Sequence, residues 1–399
     1  MKTRIAVFFG GRSPEHDVSV VTGLQALNAL DQARFEAFVV YVTPQGDWLV
    51  GPELNDRRNY LPDAPLRAKL TEVTIDIAAG GGGRLLPRKT GLFSRRPSLE
   101  FDVALLAFHG SGGEDGQMQG LFEAANIPYT GMRTLAASVL MDKAVTKRAL
   151  EGTGIPLLRQ VVINRPAAGL PRAVSLAEAM QHANIGFPCI VKPVHLGSSI
   201  GVGKAEDVEE ARALLAVIFR LDTQALIEPF VPNLVEYNVA VGRFGGETRC
   251  SAIERPKRVE DLLDFRQKYL SGGDSKTGGK MLGQSSQGML SLTREINPDL
   301  PPALADNLRR WATAAFEAVG GTGAPRIDFL SNEATSEVWL NEVNPCPGSF
   351  GYFLWEAAAE PIMFTPLVTA LIDEAVALHQ RRNLPPDTVP TEARLLRRA

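Results

Sequence analysis

The chain has few cysteines and no long apolar segment. Its three cysteines, Cys189, Cys250 and Cys346, are far apart and form no CxxC pair. This spacing argues against a disulfide framework and against a zinc site, and it is typical of a reducing cytoplasm. The apolar run at residues 5–9 is too short for the core of a signal peptide, and no window is long enough to span a bilayer. We therefore expect a soluble, cytoplasmic protein with no membrane partner.

A strong bias of charge is also missing. The formal net charge is −3 over 399 residues, which gives no reason to expect a nucleic-acid partner. Hydrophobic residues make up 45% of the chain and charged residues 22%, as in ordinary globular proteins. The length allows two or three domains with a large buried core.

The first third of the chain predicts parallel strands that are buried on both faces. Residues 5–9 and 38–42 are apolar runs on either side of a predicted helix, which is the pattern of a βαβ unit. A third run, residues 102–108, leads into the glycine-rich segment 109–116. Such a loop can present backbone amides to an anion, although its spacing matches neither the dinucleotide fingerprint nor Walker A. We interpret residues 80–97 as an exposed, variable hairpin or loop whose basic side chains form a solvated face rather than a polyanion site.

The middle of the chain carries lysines next to glycine- and serine-rich loops. A helix predicted over residues 133–150 contains Lys143. Lys192 ends an apolar strand, where a cation needs an anionic partner, and the amides and hydroxyls of residues 197–203 could bind phosphate oxygens. The alternative is a hairpin turn in which the Lys192 ammonium reaches solvent. The long glycine- and serine-rich stretch 271–291 predicts either a functional lid or disorder.

Two predicted strands near the C-terminus carry a dense polar pattern. Arg326 and Asp328 are two residues apart and share one strand face, as do Glu342 and Asn344 on the next strand. If the strands pair with these faces aligned, two carboxylates, an amide and a guanidinium converge. Such oxygen donors suit Mg²⁺. The alternative is a hairpin with one solvated polar face.

Taken together, these motifs resemble the D-alanine–D-alanine ligase family of ATP-grasp enzymes. The resemblance implies an ATP-grasp fold preceded by a doubly wound N-terminal α/β domain. It covers nearly the whole chain, and its motifs occur in the family's order: EHDVS, HGSGGEDGQMQG, PYTG, MDKAVTK, FPCIVKPVHLGSSIGV, IEPF, DF..KY, RIDF and NEVNP.PG. The implied parts are an N-terminal domain over residues 1–140, a central subdomain over 141–235, a C-terminal domain over 236–383 that includes the 271–291 lid, and a tail over 384–399.

The resemblance also implies which residues bind ATP and Mg²⁺. The two lysines of the middle segment, together with the loop after Lys192, would contact the phosphates. The IEPF strand would contact adenine, and the C-terminal hairpin would supply the metal ligands. In order, the implied residues are Lys143, Lys192 and Ser199 for phosphates, Glu228 and Val231 for adenine, Glu236 for the ribose, Lys268 for the γ-phosphate, and Asp328, Glu342 and Asn344 for two Mg²⁺ ions, with Mn²⁺ as a possible substitute.

The implied reaction is ATP-dependent ligation of an amino acid to an amine through an acylphosphate, with release of ADP and phosphate, as in peptidoglycan synthesis. The first amino acid would meet a hydrogen-bonded set at its ammonium group and a histidine at its carboxylate, and an arginine and nearby amides would stabilise the oxyanion. The enzyme would be a homodimer, as its relatives often are. The implied residues are Glu15, Ser198 and Tyr269 for the ammonium group, His109 for the carboxylate, and Arg326 and Gly348 for the oxyanion.

The segment expected to bind the acceptor departs from the family's pattern. Ser349 and Leu354 belong to this segment, and Phe353 occupies the position where the family has a serine. Loss of the hydroxyl that would bind the acceptor's carboxylate should weaken the enzyme's preference for a small free amino acid as the acceptor. Phe353 and Trp355 therefore suggest a larger or less polar amine acceptor, in a paralogue with the same mechanism. The alternative is that Ser349 or a backbone amide substitutes and the acceptor is still D-alanine. A non-catalytic nucleotide-binding module is disfavoured, because a pure binder needs neither Arg326 nor a lid.

Overall fold

The computed structural model describes residues 2–78, 82–88, 97–257 and 294–382. The predicted lid at 271–291, Lys268, Tyr269 and the 384–399 tail lie outside these ranges. The described chain forms three β-sheets in sequence order. None of the helices in the described ranges has the length and apolarity needed to cross a bilayer.

The first sheet has seven strands and is only partly parallel. β1 pairs in parallel with β2 and β7, and the remaining neighbours pair antiparallel. Residues 5–9 of β1 are fully buried, as their continuous apolar run predicts. The strands are β1 (Thr3–Gly10), β2 (Phe35–Val42), β3 (Trp48–Val50), β4 (Thr71–Ile75), β5 (Gly83–Pro87), β6 (Leu99–Phe101) and β7 (Val103–Leu106), in the order β6-β5-β4-β3-β2-β1-β7.

The basic stretch predicted as a solvated surface is partly sheet. Arg84 lies in β5 and pairs with Asp76, and Arg88 pairs with Glu72 at 2.7 Å. Residues 89–96 lie outside the described ranges. The two described arginines therefore form ion pairs between neighbouring parts of β4 and β5.

The helix predicted over residues 133–150 is in fact two helices. Within the described residues, the α-helices before the second sheet are α1 (His16–Ala29), α2 (Ala64–Arg67), α3 (Gln117–Ala124), α4 (Thr134–Met141) and α5 (Lys143–Leu150). Asp142 separates the last two. Its backbone is extended, and its side chain accepts a hydrogen bond of 2.8 Å from the Val145 amide, as an N-cap does. The break therefore makes Lys143 the first residue of a new helix.

The second sheet has four antiparallel strands covered by two helices. Its core contains Leu176, Val191, Leu215 and Ile227. The strands are β8 (Val161–Asn164), β9 (Cys189–Pro193), β10 (Gly203–Ala205) and β11 (Gln224–Pro229), in the order β10-β9-β11-β8, and the helices are α6 (Ala173–His182) and α7 (Val208–Ile218).

The third sheet contains the predicted polar hairpin. Its two strands pair antiparallel, with Arg326 opposite Asn344 and Asp328 opposite Glu342, which confirms the predicted alignment. The strands are β12 (Leu234–Phe244), β13 (Glu247–Pro256), β14 (Arg294–Ile296), β15 (Arg326–Asn332) and β16 (Glu337–Asn344), in the order β14-β13-β12-β15-β16, and the helices are α8 (Pro302–Ala318), α9 (Tyr352–Glu356) and α10 (Phe364–Arg382).

The last helix returns to the first sheet. Val368 and Ile372 of α10 share one hydrophobic core with Ile5 and Val7 of β1. This core also contains residues of the segment that follows the hairpin, including Trp355. A common hydrophobic core therefore joins the first and third sheets.

A second junction between these parts needs a glycine. The backbone of Gly323 adopts φ +75, and a side chain there would meet the Gly131 Cα at 2.8 Å. The adjacent Thr322 hydroxyl donates a hydrogen bond of 2.8 Å to the Gly131 carbonyl. Only a glycine allows the two backbones to approach this closely.

We expect Gly323→Ala to destabilise the protein more than Gly320→Ala. Gly320 has a similar positive φ, but a side chain there would meet nothing within 4 Å. The control should lose about 1 kcal/mol from the left-handed backbone alone. Gly323→Ala should lose at least about 1 kcal/mol more, because the added methyl overpacks the junction. Urea unfolding of both variants measures this difference, and equal losses would show that the close approach is not restrictive.

Candidate active site

One cleft brings together residues from four distant parts of the chain. The loop after β1 supplies Glu15, and the glycine-rich loop after β7 supplies His109 and Glu114. The middle of the chain supplies the start of α5 and the loop after β9. The predicted site residues in its lining are Glu15, His109, Lys143, Ser198, Arg326, Glu342, Asn344 and Gly348.

The hairpin places its charged groups in direct contact. Arg326 donates two hydrogen bonds of 2.7 Å to the two carboxylate oxygens of Asp328, and the Asn344 amide donates a third, of 2.9 Å. Burial raises the pKa of Asp328 to about 6, opposed by Arg326 and reinforced by the negative charges of Glu342 and Glu236. Asp328 is therefore a buried carboxylate whose burial and acidic neighbours outweigh the positive charge of Arg326.

A lysine from α5 neutralises the other hairpin carboxylate. The Lys143 ammonium lies 3.2 Å from Glu342 and donates a hydrogen bond of 2.6 Å to the Leu196 carbonyl. Burial opposes ionisation of Glu342, but Lys143 and Lys192 outweigh it, so its pKa is lowered. Glu342 is therefore ionised at neutral pH.

These residues form a donor set that fits a divalent cation. Asp328 and Glu342 are directly opposite one another on β15 and β16, and Asn344 adds an amide. A cation would relieve the repulsion that raises the pKa of Asp328. The described residues contain no group of three His, Cys, Asp or Glu side chains that could hold a metal alone. Mg²⁺ commonly completes its coordination with substrate phosphates and water.

Lys192 is paired with a buried carboxylate, so the alternative of a lysine that reaches solvent is wrong. Its residue is only 5% exposed, and its ammonium lies 2.6 Å from Glu228. It also donates a hydrogen bond of 2.9 Å to the Asn341 side chain. Lys147 pairs with the other oxygen of Glu228. Lys147 was missed by sequence reasoning, although its place four residues after Lys143 puts both lysines on one side of α5.

This ion triad bears on the predicted adenine site. Both carboxylate oxygens of Glu228 are engaged by lysines, and the attraction of those lysines outweighs burial and lowers its pKa. Val231 is buried in the following segment, and Glu236 lies in β12. The predicted contact between Glu228 and adenine therefore requires that the carboxylate serve the lysines and the base together.

The loop after β9 connects the phosphate side to the first-substrate side. Ser198 and Ser199 both adopt positive φ values, 53 and 59, so the loop turns sharply. The Ser198 hydroxyl donates a hydrogen bond to Glu15, the contact expected for these two residues. Tyr269, the third member of that set, lies outside the described residues.

Two buried groups flank Glu15. His109 makes a hydrogen bond of 2.8 Å with the Thr22 hydroxyl, and burial lowers its pKa to about 4, so the imidazole is neutral. Glu114 accepts hydrogen bonds from the Gly110 amide (2.5 Å) and the Cys346 amide (2.8 Å). Burial, and next the charge of Glu15, raises the pKa of Glu114 to about 8. Sequence reasoning missed Glu114, because it considered only the backbone amides of its loop.

The expected acceptor segment turns its apolar side chains away from the cleft. Leu354 and Trp355 are fully buried in the core, so Leu354 could meet a ligand only through its backbone, and Trp355 packs on Phe244. Phe353 is half-buried under the guanidinium of Arg294, 4.5 Å from its ring centre. The case for a larger acceptor therefore rests on Phe353, without Trp355.

Ser349 does not present a free hydroxyl either. Its side chain donates a hydrogen bond to Gln25, and its amide donates one of 2.9 Å to the Thr22 hydroxyl. Ser349, Phe350 and Gly351 all have positive φ values, an uncommon run for residues other than glycine. These contacts with α1 hold the turn in this conformation.

Two family models together match most of the chain. The model for the D-ala D-ala ligase N-terminus matches residues 4–132, and the model for the D-ala D-ala ligase C-terminus matches residues 149–373. The D-alanine–D-alanine ligase of Chlorobium chlorochromatii is 32% identical over 381 residues, which cover 94% of this chain and 98% of that protein. That of Listeria monocytogenes serotype 4b is 31% identical over 395 residues, 96% and 98% of the two chains.

Solved structures agree on the fold. The D-alanine-D-alanine ligase from Coxiella burnetii superposes with a TM-score of 0.75 at 24% identity, covering 96% of each chain. The VanG D-Ala:D-Ser ligase from Enterococcus faecalis gives 0.70 at 22% identity, covering 95% of this chain and all of that one. These likenesses confirm the predicted ATP-grasp architecture with its N-terminal α/β domain.

We expect Lys147→Met to destabilise the protein strongly. The substitution removes one of two cations from the fully buried Glu228, and breaking such a cluster costs about 3 kcal/mol. Lys204→Met is the matched control, because Lys204 pairs with Glu206 at 2.7 Å on the surface, where such pairs contribute less than about 1 kcal/mol. Thermal and urea unfolding compare the two variants. A loss for Lys147→Met no larger than that of the control would contradict the buried triad.

Proposed function

The chain belongs to the D-alanine–D-alanine ligase family and is an ATP-dependent ligase, and from this premise we propose that it joins the carboxylate of one D-amino acid to the amine of a second. The observation that best supports this proposal is the convergence of three pairs on one cleft. The pairs are Glu15 with Ser198, Lys143 with Glu342, and Arg326 with Asp328, and all of these residues except Asp328 line the cleft.

ATP would bind with its phosphates at the start of α5 and at the loop after β9. Lys143 and Lys192 lie close enough to Glu342 to lower its pKa, so both bring positive charge to this part of the cleft. A carboxylate that attacks a phosphate brings two anions together, and such cations offset their repulsion. Glu236 would bind the ribose hydroxyls. Mg²⁺, when bound by Asp328, Glu342 and Asn344, would supply further positive charge to the phosphate oxygens.

The first amino acid would bind beside Glu15. Its ammonium group would be held by the Glu15 carboxylate, which the Ser198 hydroxyl keeps in place. The neutral imidazole of His109 would meet its carboxylate through a hydrogen bond rather than an ion pair, because burial keeps that ring uncharged. An oxygen of this carboxylate attacks the γ-phosphorus, the bond to ADP breaks, and an acylphosphate forms.

The second amino acid then attacks the acyl carbon with its free amine. The amine loses a proton, negative charge develops on the acyl oxygen, and phosphate leaves as the amide forms. Arg326 would stabilise that oxyanion together with the amides near Gly348. The two hydrogen bonds that the guanidinium donates to Asp328 fix its plane, so its orientation is set before the reaction. The roles of Lys268 and Tyr269, the cytoplasmic location and the homodimer stay predictions.

A larger amine acceptor is the second candidate. Phe353 is the residue expected where the family has a serine, and its ring lies 4.5 Å from the Arg294 guanidinium rather than offering a hydroxyl. Ser349 donates its hydroxyl to Gln25, so it does not directly replace the missing group. An acceptor with more apolar surface than D-alanine fits such a site better.

We expect Glu342→Gln to abolish ligation. The substitution removes a metal-binding charge and leaves Lys143 without its partner, and a loss of at least about a hundredfold is expected for such a group. Glu337→Gln is the control, since Glu337 lies exposed at the start of the same strand.

The assay measures phosphate release and the mass of the products with ATP, Mg²⁺ and panels of D-amino acids, L-amino acids and other amines. Near-normal turnover by Glu342→Gln at modest Mg²⁺ rejects the metal assignment. Absence of any amine-dependent phosphate release from the wild type rejects the ligase.

We expect Phe353→Ser to improve free D-alanine as the acceptor. A hydroxyl restored beside the acceptor's carboxylate should raise kcat/KM for D-alanine about tenfold, the scale of one hydrogen bond to a charged group. The kcat/KM for ATP serves as the internal control and should change little. An unchanged value for D-alanine would remove Phe353 from the determination of specificity and favour D-alanine as the native acceptor.

A further inference from the structure

A histidine lies between two aspartates at the base of the phosphate loop. The His195 Nδ1 is 2.8 Å from the Asp222 carboxylate, and its Nε2 is 3.4 Å from the Asp142 carboxylate. The His195 amide also donates a hydrogen bond of 2.8 Å to Asp222. None of these three residues has a role in the reaction described above.

The geometry requires a charged imidazole. A neutral ring has one N–H group, so one of its two nitrogens would place a lone pair against a carboxylate. The protonated ring donates to both. In agreement with this, the hydrogen bonds to Asp142 and Asp222 raise the pKa of His195 to about 9. Lys143 is a further charged group beside this cluster, since its ammonium donates a hydrogen bond to the carbonyl of Leu196, the residue after His195.

The three residues connect the two segments that would contact phosphate. Asp142 is the N-cap of α5, immediately before Lys143. His195 lies two residues before Gly197, where the serine loop begins. Asp222 is 8% exposed and also accepts hydrogen bonds from the Thr223 and Gln224 amides, so it is anchored to the start of β11. The imidazolium therefore links the helix start, the loop and the second sheet.

We propose that His195 is a positioning residue that holds the serine loop and the first turn of α5 together for the nucleotide's phosphates. The inference rests on the proposed function, since it assigns those two segments to ATP. His195 itself does not need to touch the ligand. It acts by fixing the spacing between Lys143 and the Ser198–Ser199 turn. Lys143 is buried, and both serines have positive φ values, so their positions depend on support from neighbouring residues.

The test compares His195→Gln, His195→Arg and His182→Gln. Glutamine keeps one donor but removes the charge, whereas arginine keeps a charge that can donate to both aspartates. His182 is an exposed histidine at the end of α6 and serves as the control. Equilibrium binding of ATP with Mg²⁺, without amino acids, is measured by calorimetry. We expect Kd to rise about tenfold for His195→Gln, the scale of one charge-assisted hydrogen bond, and to stay within about threefold of wild type for the other two variants.

The pH dependence separates positioning from a loss of stability. The pKa of His195 in the folded protein lies above its ordinary value of 6.5. The stabilisation that the charged imidazole gives to the loop is therefore complete below about pH 6.5 and is lost as pH rises through about 9. The wild-type Kd for ATP should therefore rise above pH 9 relative to that of His195→Arg, which stays charged. Coincident pH profiles, or a Kd for His195→Gln within twofold of wild type, overturn the positioning role alone. A wild type that binds no ATP overturns the proposed function as well.

Discussion

Helix α5 carries two lysines, four residues apart, that pair with carboxylates of two different sheets. Lys147 reaches Glu228 in the second sheet, and Lys143 reaches Glu342 in the third. Glu228 also pairs with Lys192, and Lys192 helps to lower the pKa of Glu342, so the two pairs are electrostatically linked. An uncompensated charge in such surroundings costs several kcal/mol, so neither sheet can shift against α5 without a large loss of stability. The arrangement of the cleft therefore depends on the ion pairs that Lys143 and Lys147 make with the two sheets.

The same network explains how a strongly charged ligand could be accepted. Buried lysines and carboxylates are already desolvated in the folded chain, and their pairing satisfies them while the cleft holds no ligand. A nucleotide and a divalent cation would offer the lysines a phosphate and the carboxylates a metal, so each group exchanges one partner for another of the same sign. These lysines and carboxylates lose their hydration when the chain folds, so binding of the nucleotide needs only a rearrangement of their partners.

Sequence reasoning succeeded where a signal was local. The apolar run of β1 predicted a strand buried on both faces, and the period of the hairpin predicted which residues share a face of each strand. It failed where a contact joined distant segments. Glu114 accepts an amide proton from Cys346, 232 positions later, and no pattern around either residue announces that contact. The break at Asp142 was also missed, because an aspartate inside an apolar helical pattern can be either a surface residue or an N-cap.

The sequence by itself determined the family, the order of the sheets and the kinds of groups that meet in the cleft, because each follows from motifs and periodicities within short stretches. Only the tertiary structure decided which charges are paired. It placed Glu228 between two lysines, made His195 the partner of two aspartates, and directed Leu354 and Trp355 into the core. The physical reason is that ionisation and burial depend on distances between groups that the chain brings together only on folding, and residue type alone does not specify those distances.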